Sequence, residues 1–322
     1  MHIPDGFLDT RTALTTGVLA VGGLGFALRH ARLHLPPRRV PLLGLSAAFV
    51  FAAQMLNFPV AGGTSGHLVG GVLSAVLLGP CAGVIVISAV LIVQCLMFAD
   101  GGISALGANV FNMAIVGTVG GWAVYHLVSR VFKGLSGRVM GSTFAAWCGT
   151  VLASIACAGE LASSHTVRWA VVFPAMAGVH MLIGIGEGLI TALVLVAVAQ
   201  TRPELIAAPT ADAASARSYT PVVVYGMLIA LGLALFVSPL ASQSPDGLDK
   251  TAEQLGFEGK AKVVAPAPMA EYKIEHISAD KLSTALAGAI GTVVVFGLSW
   301  LLARTLVPKP KPTNVADLAP PM

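Results

Sequence analysis

Residues 171–200 read VVFPAMAGVHMLIGIGEGLITALVLVAVAQ, a largely apolar run whose only ionisable side chains are His180 and Glu187. A helix needs about 20 consecutive apolar residues to cross the hydrocarbon of a bilayer. This run exceeds that length and offers no face suited to water. Working outward from it, eight more runs read as spans: roughly Thr12–Leu28, Val40–Phe58, His67–Leu78, Ala82–Phe98, Ser104–Val128, Met140–Ala158, Pro221–Leu240 and Thr284–Leu306. The 322-residue chain is 56% hydrophobic and 11% charged, against about 25% charged in soluble domains. The expected fold is an all-α polytopic transmembrane bundle of about nine spans, seven plus two, solvated by membrane lipid. No basic face interleaves with aromatics, so nucleic acid is not an expected partner. Cys81, Cys95, Cys148 and Cys157 lie inside apolar runs without a CxxC pair and read as small core residues.

Gly79-Pro80 interrupts the third and fourth runs. Proline removes a backbone donor and disfavours helix before it, so a helix pair with a tight turn is expected, with one kinked helix as the alternative. Charge tests this count, because short cytoplasmic loops carry excess Lys and Arg. Arg29, Arg32, Arg38 and Arg39, then Arg130, Lys133 and Arg138, then Arg202 and Arg217, then Arg304, Lys309 and Lys311 all fall on one side of nine spans. The opposite short loops carry Arg11 and Arg168. The N-terminus is therefore expected outside and the C-terminus inside. A signal peptide needs positive charge ahead of its apolar stretch. Here the charge follows it, so the mature chain is expected to begin at Met1.

The organisation expected is a seven-span body over residues 1–200 and a cytoplasmic linker over 201–220. A two-span module over 221–306 follows, with an outside loop at 241–283. The Pro-rich tail over 307–322 is expected to be disordered.

The opening residues are Met1-His2-Ile3-Pro4-Asp5-Gly6-Phe7-Leu8. An α-amine, the His2 backbone nitrogen and a His2 ring nitrogen close a five-membered and a six-membered chelate ring. Cu²⁺ and Ni²⁺ favour such tetragonal nitrogen geometry, whereas Zn²⁺ prefers a tetrahedron. Pro4 and the Asp5-Gly6 turn stop the terminus from continuing as helix. A fourth nitrogen is offered by His67, flanked by Gly62, Gly63, Gly66, Gly70 and Gly71 and read as the outer start of the third span. The spacing of Gly62, Gly66 and Gly70 would put small residues on one helix face. Gln54, Asn57, Ser65, Asp100, Asn109, Asn112 and His180 are candidates for orienting the imidazoles. The alternative for each is helix capping or interhelical hydrogen bonding. Glu187 shares a helix face with His180. Straight helices would place it about 30 Å along the axis from His67, suiting it to packing or to a partner. His165 and His276 are expected in outside loops.

These residues resemble the substrate-capture component of energy-coupling-factor nickel and cobalt transporters. The segment 1–8 is similar to that family's amino-terminal signature, His67 to its second histidine, and 180–191 to another family stretch. Pro245-Asp-Gly-Leu-Asp249 resembles the family's small two-span accessory component, here fused, with Asp249 where Glu is commoner. The resemblance implies that Met1, His2 and His67 bind the ion. Its cobalt branch more often has Met-Glu where this chain has Pro4-Asp5, which favours Ni²⁺ over Co²⁺ as the transported substrate. It also implies location in the cell (inner) membrane, with a transmembrane scaffold subunit and cytoplasmic ATPase subunits as partners. No G-x-x-x-x-G-K-[ST] phosphate loop occurs in the chain, so no enzymatic activity is expected of it. A stand-alone proton-coupled transporter using His180 and Glu187, and a membrane metal sensor, are the rival readings. An intramembrane metalloprotease would need an H-E-x-x-H or an equivalent base, which is absent.

Overall fold

The computed structural model describes residues 1–206 and 219–308. Most of the expected linker and nearly all of the expected tail, with Arg217, Lys309 and Lys311, lie outside the described residues. In chain order come α1 (Thr10–His34), α2 (Val40–Gln54), strands β1 (Phe58–Val60) and β2 (Thr64–Gly66), and α3 (Gly71–Leu78). Then follow α4 (Pro80–Phe98), α5 (Leu106–Val131), α6 (Gly134–Ser163) and α7 (Trp169–Thr201). Beyond residue 219 lie α8 (Thr220–Leu240), α9 (Gly247–Leu255) and α10 (Asp280–Leu306).

The all-α polytopic bundle is present, and seven of these helices are long and apolar enough to cross a membrane. The second and third runs differ from expectation. They form helices of 15 and 8 residues, about 22 and 12 Å long, against about 30 Å of hydrocarbon. The residues between them explain why. Gly62 and Gly63 both take positive φ, 80° and 70°, which suits a reversal and not a helix. The chain turns there into an antiparallel hairpin pairing Phe58 with Gly66 and Val60 with Thr64. Gly62, Gly66 and Gly70 therefore share no helix face, and His67 precedes α3 instead of starting a span.

Gly79 has φ 97° and Pro80 opens α4. A Cβ added at Gly83 would stand 3.1 Å from the Ala75 nitrogen. A continuous helix would hold residues eight apart about 12 Å from each other. The chain therefore reverses at Gly79, giving the helix pair and not the kinked alternative.

α6 runs along α7, while α10 and α8 pack on α2. Small residues bring these backbones together: a Cβ at Gly44 would meet the Phe296 carbonyl at 3.1 Å, and one at Gly291 would enter the Phe51 ring. Within α5 a π-helical stretch spans Val110–Gly117, directly after Asn109. Such stretches often mark functional sites. The terminus enters the bundle: Met1, Ile3 and Phe7 are buried, and the Phe7 ring meets Phe257 edge-on at 5.1 Å. All four cysteines are free.

Candidate metal centre

The first residues are not helical, and Asp5 forms an isolated antiparallel bridge with Lys262. Ile3 N–H donates to Asn109 Oδ1 at 2.8 Å, and the Asn109 amide returns a bond to the Ile3 carbonyl at 3.1 Å. Gly102 N–H donates to that carbonyl at 2.8 Å. The Asp5 carboxylate accepts from Ser104 N–H at 2.7 Å and from its hydroxyl, and Lys262 N–H donates to the Asp5 carbonyl at 2.8 Å. Gly102 is required for this approach, since a Cβ there would stand 2.2 Å from the Asp5 nitrogen.

So pinned, the Met1 nitrogen lies 3.4 Å from His67 Nε2. The His2 and His67 ring centroids are 5.4 Å apart. Met1 is 4% exposed, and His2 and His67 are each 8% exposed. His67 Nδ1 is 3.0 Å from the Leu68 carbonyl. Donation there leaves the Nε2 lone pair free and aimed at the terminus. His2 Nδ1 is buried without a hydrogen bond, and Asp100 Oδ1 stands 3.5 Å away.

Burial, then the amine charge and His2, push the His67 imidazole down to about 3. Burial lowers His2 as well, against a partial upward pull from Asp100. Both rings are therefore neutral and able to ligate at physiological pH. The Met1 amine goes the other way. Burial alone would lower it, but the Asp246 carboxylate bonded to it holds it above its ordinary value.

Asp246 was not among the residues read from sequence. It begins the Pro245-Asp-Gly-Leu-Asp249 segment and caps α9, accepting from Leu248 and Asp249 N–H at 2.7 and 2.9 Å. Burial would raise its carboxyl, yet the amine beside it holds it well below the usual carboxylate range. Asp249, next to that fixed negative charge and partly buried, is raised to about 7. The available signal was an Asp-Gly pair ahead of an amphipathic helix, an N-cap pattern. Nothing local announces that the cap also reaches residue 1. Asp246→Asn keeps a good cap and loses the charge, whereas Asp246→Ala loses both. The alanine variant is expected to be about 1 kcal/mol less stable than the asparagine variant, read from thermal unfolding in detergent.

The other predicted residues separate into two groups. Gln54 Nε2 donates to the Val69 carbonyl at 2.9 Å, and Gln94 donates to Gln54 Oε1 at 2.9 Å. Ser65 ties the hairpin to the loop through Pro245 and Ser244 carbonyls at 2.8 and 2.7 Å. Asp100 Oδ2 accepts from Tyr272 at 2.7 Å. Asn57 accepts from Ser242 N–H at 2.8 Å through its backbone carbonyl. His180 hydrogen-bonds the Met176 carbonyl at 2.7 Å and sits under Gly247, whose added Cβ would be 2.7 Å from the ring. Asn112 belongs elsewhere: its amide donates to Glu160 Oε2 at 2.7 Å and makes no bond to either imidazole.

The remote placement of Glu187 is corrected. Its two oxygens accept from Val69 and Gly70 N–H at 2.5 and 2.9 Å, two and three residues from His67. The straight-helix estimate failed because residues 58–70 are not helical, so His67 stands beside the middle of α7.

A cavity of about 10 Å³ is bounded by Met1, His67, His180 and Asp246. A wider cavity of about 430 Å³ is lined by His2, His67, Asp100, Asp249, Glu271 and Lys273.

Residues 2–205 match the family described as the cobalt uptake substrate-specific transmembrane region. The chain belongs to that family. Residues 220–307 match the PDGLE domain, so a family member and its small accessory part are fused in one polypeptide. The chain is 37% identical over 94% of its length to a putative fused nickel transport protein NikMN of Archaeoglobus fulgidus, covering 98% of that protein. It is 31% identical over 92% of its length to the fused nickel transport protein NikMN of Rhodobacter capsulatus, covering 95% of it. A solved structure described as a truncated transition metal transporter superposes with TM-score 0.58 at 33% identity, over 62% of this chain and 99% of that one. Family membership, with seven membrane-length helices, makes this a multi-pass membrane component of transition-metal transport.

Proposed function

We propose that the chain captures Ni²⁺ at the outer face through the Met1 amine, the His2 amide and ring nitrogens and His67 Nε2, and passes it inward. The observation that carries this reading is the 3.4 Å approach of the terminal nitrogen to His67 Nε2 inside a buried pocket. Four nitrogens suit a tetragonal ion, and two fused nickel transport proteins are relatives over nearly the full chain. Among the described residues no three His, Cys, Asp or Glu side chains converge on one point, so a donor set using main-chain nitrogens fits the pocket better than a side-chain cage. Asp246 holds the amine before the ion arrives and keeps the site neutral.

Energy would come from outside the chain. A transmembrane scaffold subunit and cytoplasmic ATPase subunits, as the family resemblance implies, would drive the change that opens the site inward. Co²⁺ is the second candidate. Metal analysis of the purified protein, followed by competition between Ni²⁺ and Co²⁺ at equal concentration, tests the assignment. Preferential retention of Zn²⁺ over both would reject it.

Binding has a definite pH sign. The ion must displace the amine proton, held more tightly because of Asp246, and the His2 amide proton. His67 is already neutral above about 3 and contributes nothing. Affinity should therefore fall with acidification by up to about a hundredfold per pH unit for two displaced protons. Competition titrations between about pH 6 and 8, spanning the ordinary range of an amino terminus, measure the slope. A flat profile would mean that neither nitrogen ligates.

A further inference from the structure

We propose that Glu187 is a positioning residue, whose two carboxylate oxygens grip the Val69 and Gly70 amides and so fix where His67 Nε2 meets the ion. The inference rests on the metal reading above for His67, and on independent geometry for Glu187.

Glu187 is 1% exposed and sits within a membrane-length helix. A carboxylate in such a place is costly unless partnered. Here the partner is not a cation. Two successive N–H groups, at Val69 and Gly70, converge on its two oxygens. Gly70 has φ 76°, which lets successive amides curve into the concave nest that binds anions. A Cβ at Gly70 would stand 2.7 Å from Val50 Cγ2, so the nest cannot be built with a larger residue. The same amides lie at and just before the N-cap of α3, where the helix dipole also favours negative charge. One side chain thus satisfies the approach to a short helix and holds the backbone just beyond His67.

Neighbouring residues of α7 reinforce the grip. A Cβ at Gly186 would enter the Phe58 ring at 2.4 Å, and one at Gly66 would meet Ile183 at 2.7 Å. α7 therefore holds both strands of the hairpin and the residues beyond it. Gln54 holds the opposite edge through the Val69 carbonyl at 2.9 Å. His67 is left with little freedom, and its ring is already oriented by the Leu68 carbonyl at 3.0 Å. Loosening Glu187 would free the backbone that sets ring position without touching any nitrogen of the site.

Glutamine tests this because it fills the same volume. Its amide nitrogen cannot accept, so one of the two amides would face a donor. The experiment uses the full chain in detergent with NiCl₂ alone, and compares wild type, Glu187→Gln, Glu187→Asp and His67→Ala. For Glu187→Gln the expected result is affinity about tenfold weaker, within the range for residues behind a metal ligand. It should come with a shifted Ni²⁺ ligand-field absorption band and faster hydrogen exchange at residues 67–71. Glu187→Asp keeps both oxygens on a shorter arm and should fall between the two. It is read in the same way if the glutamine variant does not accumulate. Unchanged affinity and band in a folded Glu187 variant overturn the proposal, as does a lowered melting temperature with the band unmoved. Wild-type binding by His67→Ala would instead reject the metal reading itself.

Discussion

Placing two glycines ahead of Met1, which puts the histidine too far from the new amine for a contiguous four-nitrogen chelate, is expected to abolish tight Ni²⁺ binding while the helical bundle stays folded. The added residues turn the α-amine into a secondary amide. That nitrogen could then ligate only by giving up an amide proton, and its charge for Asp246 is lost. No slack exists to bring the new amine into the same place, because Ile3 is clamped by Asn109 and Asp5 by Ser104. Those clamps also explain why the fold should survive: they hold residues 3–5 whatever precedes them. The loss should exceed the about 10–100-fold typical of disturbing a residue behind a ligand, since a ligand itself is removed. Equilibrium dialysis with NiCl₂ measures it. Retained wild-type affinity in the extended protein would sink the chelate.

His67→Ala is the second large effect. It removes the nitrogen that faces the amine at 3.4 Å. The backbone around it does not depend on the ring, because Glu187 and Gln54 hold Val69 and Gly70. Tight binding is expected to vanish with little change in thermal unfolding. Stoichiometric nickel in the purified variant, with an unaltered absorption spectrum, would exclude His67 from the coordination sphere.

Much of the architecture was legible in sequence for a plain reason. Seven helices announce themselves by apolar length, and the reversal at Gly79-Pro80 by backbone chemistry. The segment 55–70 was not legible as a hairpin, because hydropathy records apolarity and not continuity of hydrogen bonding. Pro59, Gly62, Gly63 and Gly70 were the local warnings, and they predict irregular backbone only once something supplies partners for the freed amides. That partner, Glu187, lies more than a hundred residues away, so its role could not be read from spacing.

The site divides in the same way. Met1 and His2 stood out because their candidate donors are contiguous, and His67 because glycines flank it; the fold brings the three together. Asn109 was found as a polar residue in an apolar helix, though its task, clamping Ile3, required the fold. Asp246 was hidden by distance, since its cap pattern accounts fully for its presence in a loop. Asn112 shows the converse. It passed the same test as Asn109 but points to Glu160, and one helical turn decides between them.

The pairing of Met1 with Asp246 also sets an order on biosynthesis. The ribosome makes the terminus first and its counter-charge only after three quarters of the polypeptide. Contacts so far apart in sequence form late, and domains emerging from the ribosome settle from the N-terminal side. A nascent chain stalled before residue 246 would carry the clamped terminus with its positive charge unanswered. Synthesis of the loop that follows α8 is then the step that supplies the missing counter-charge.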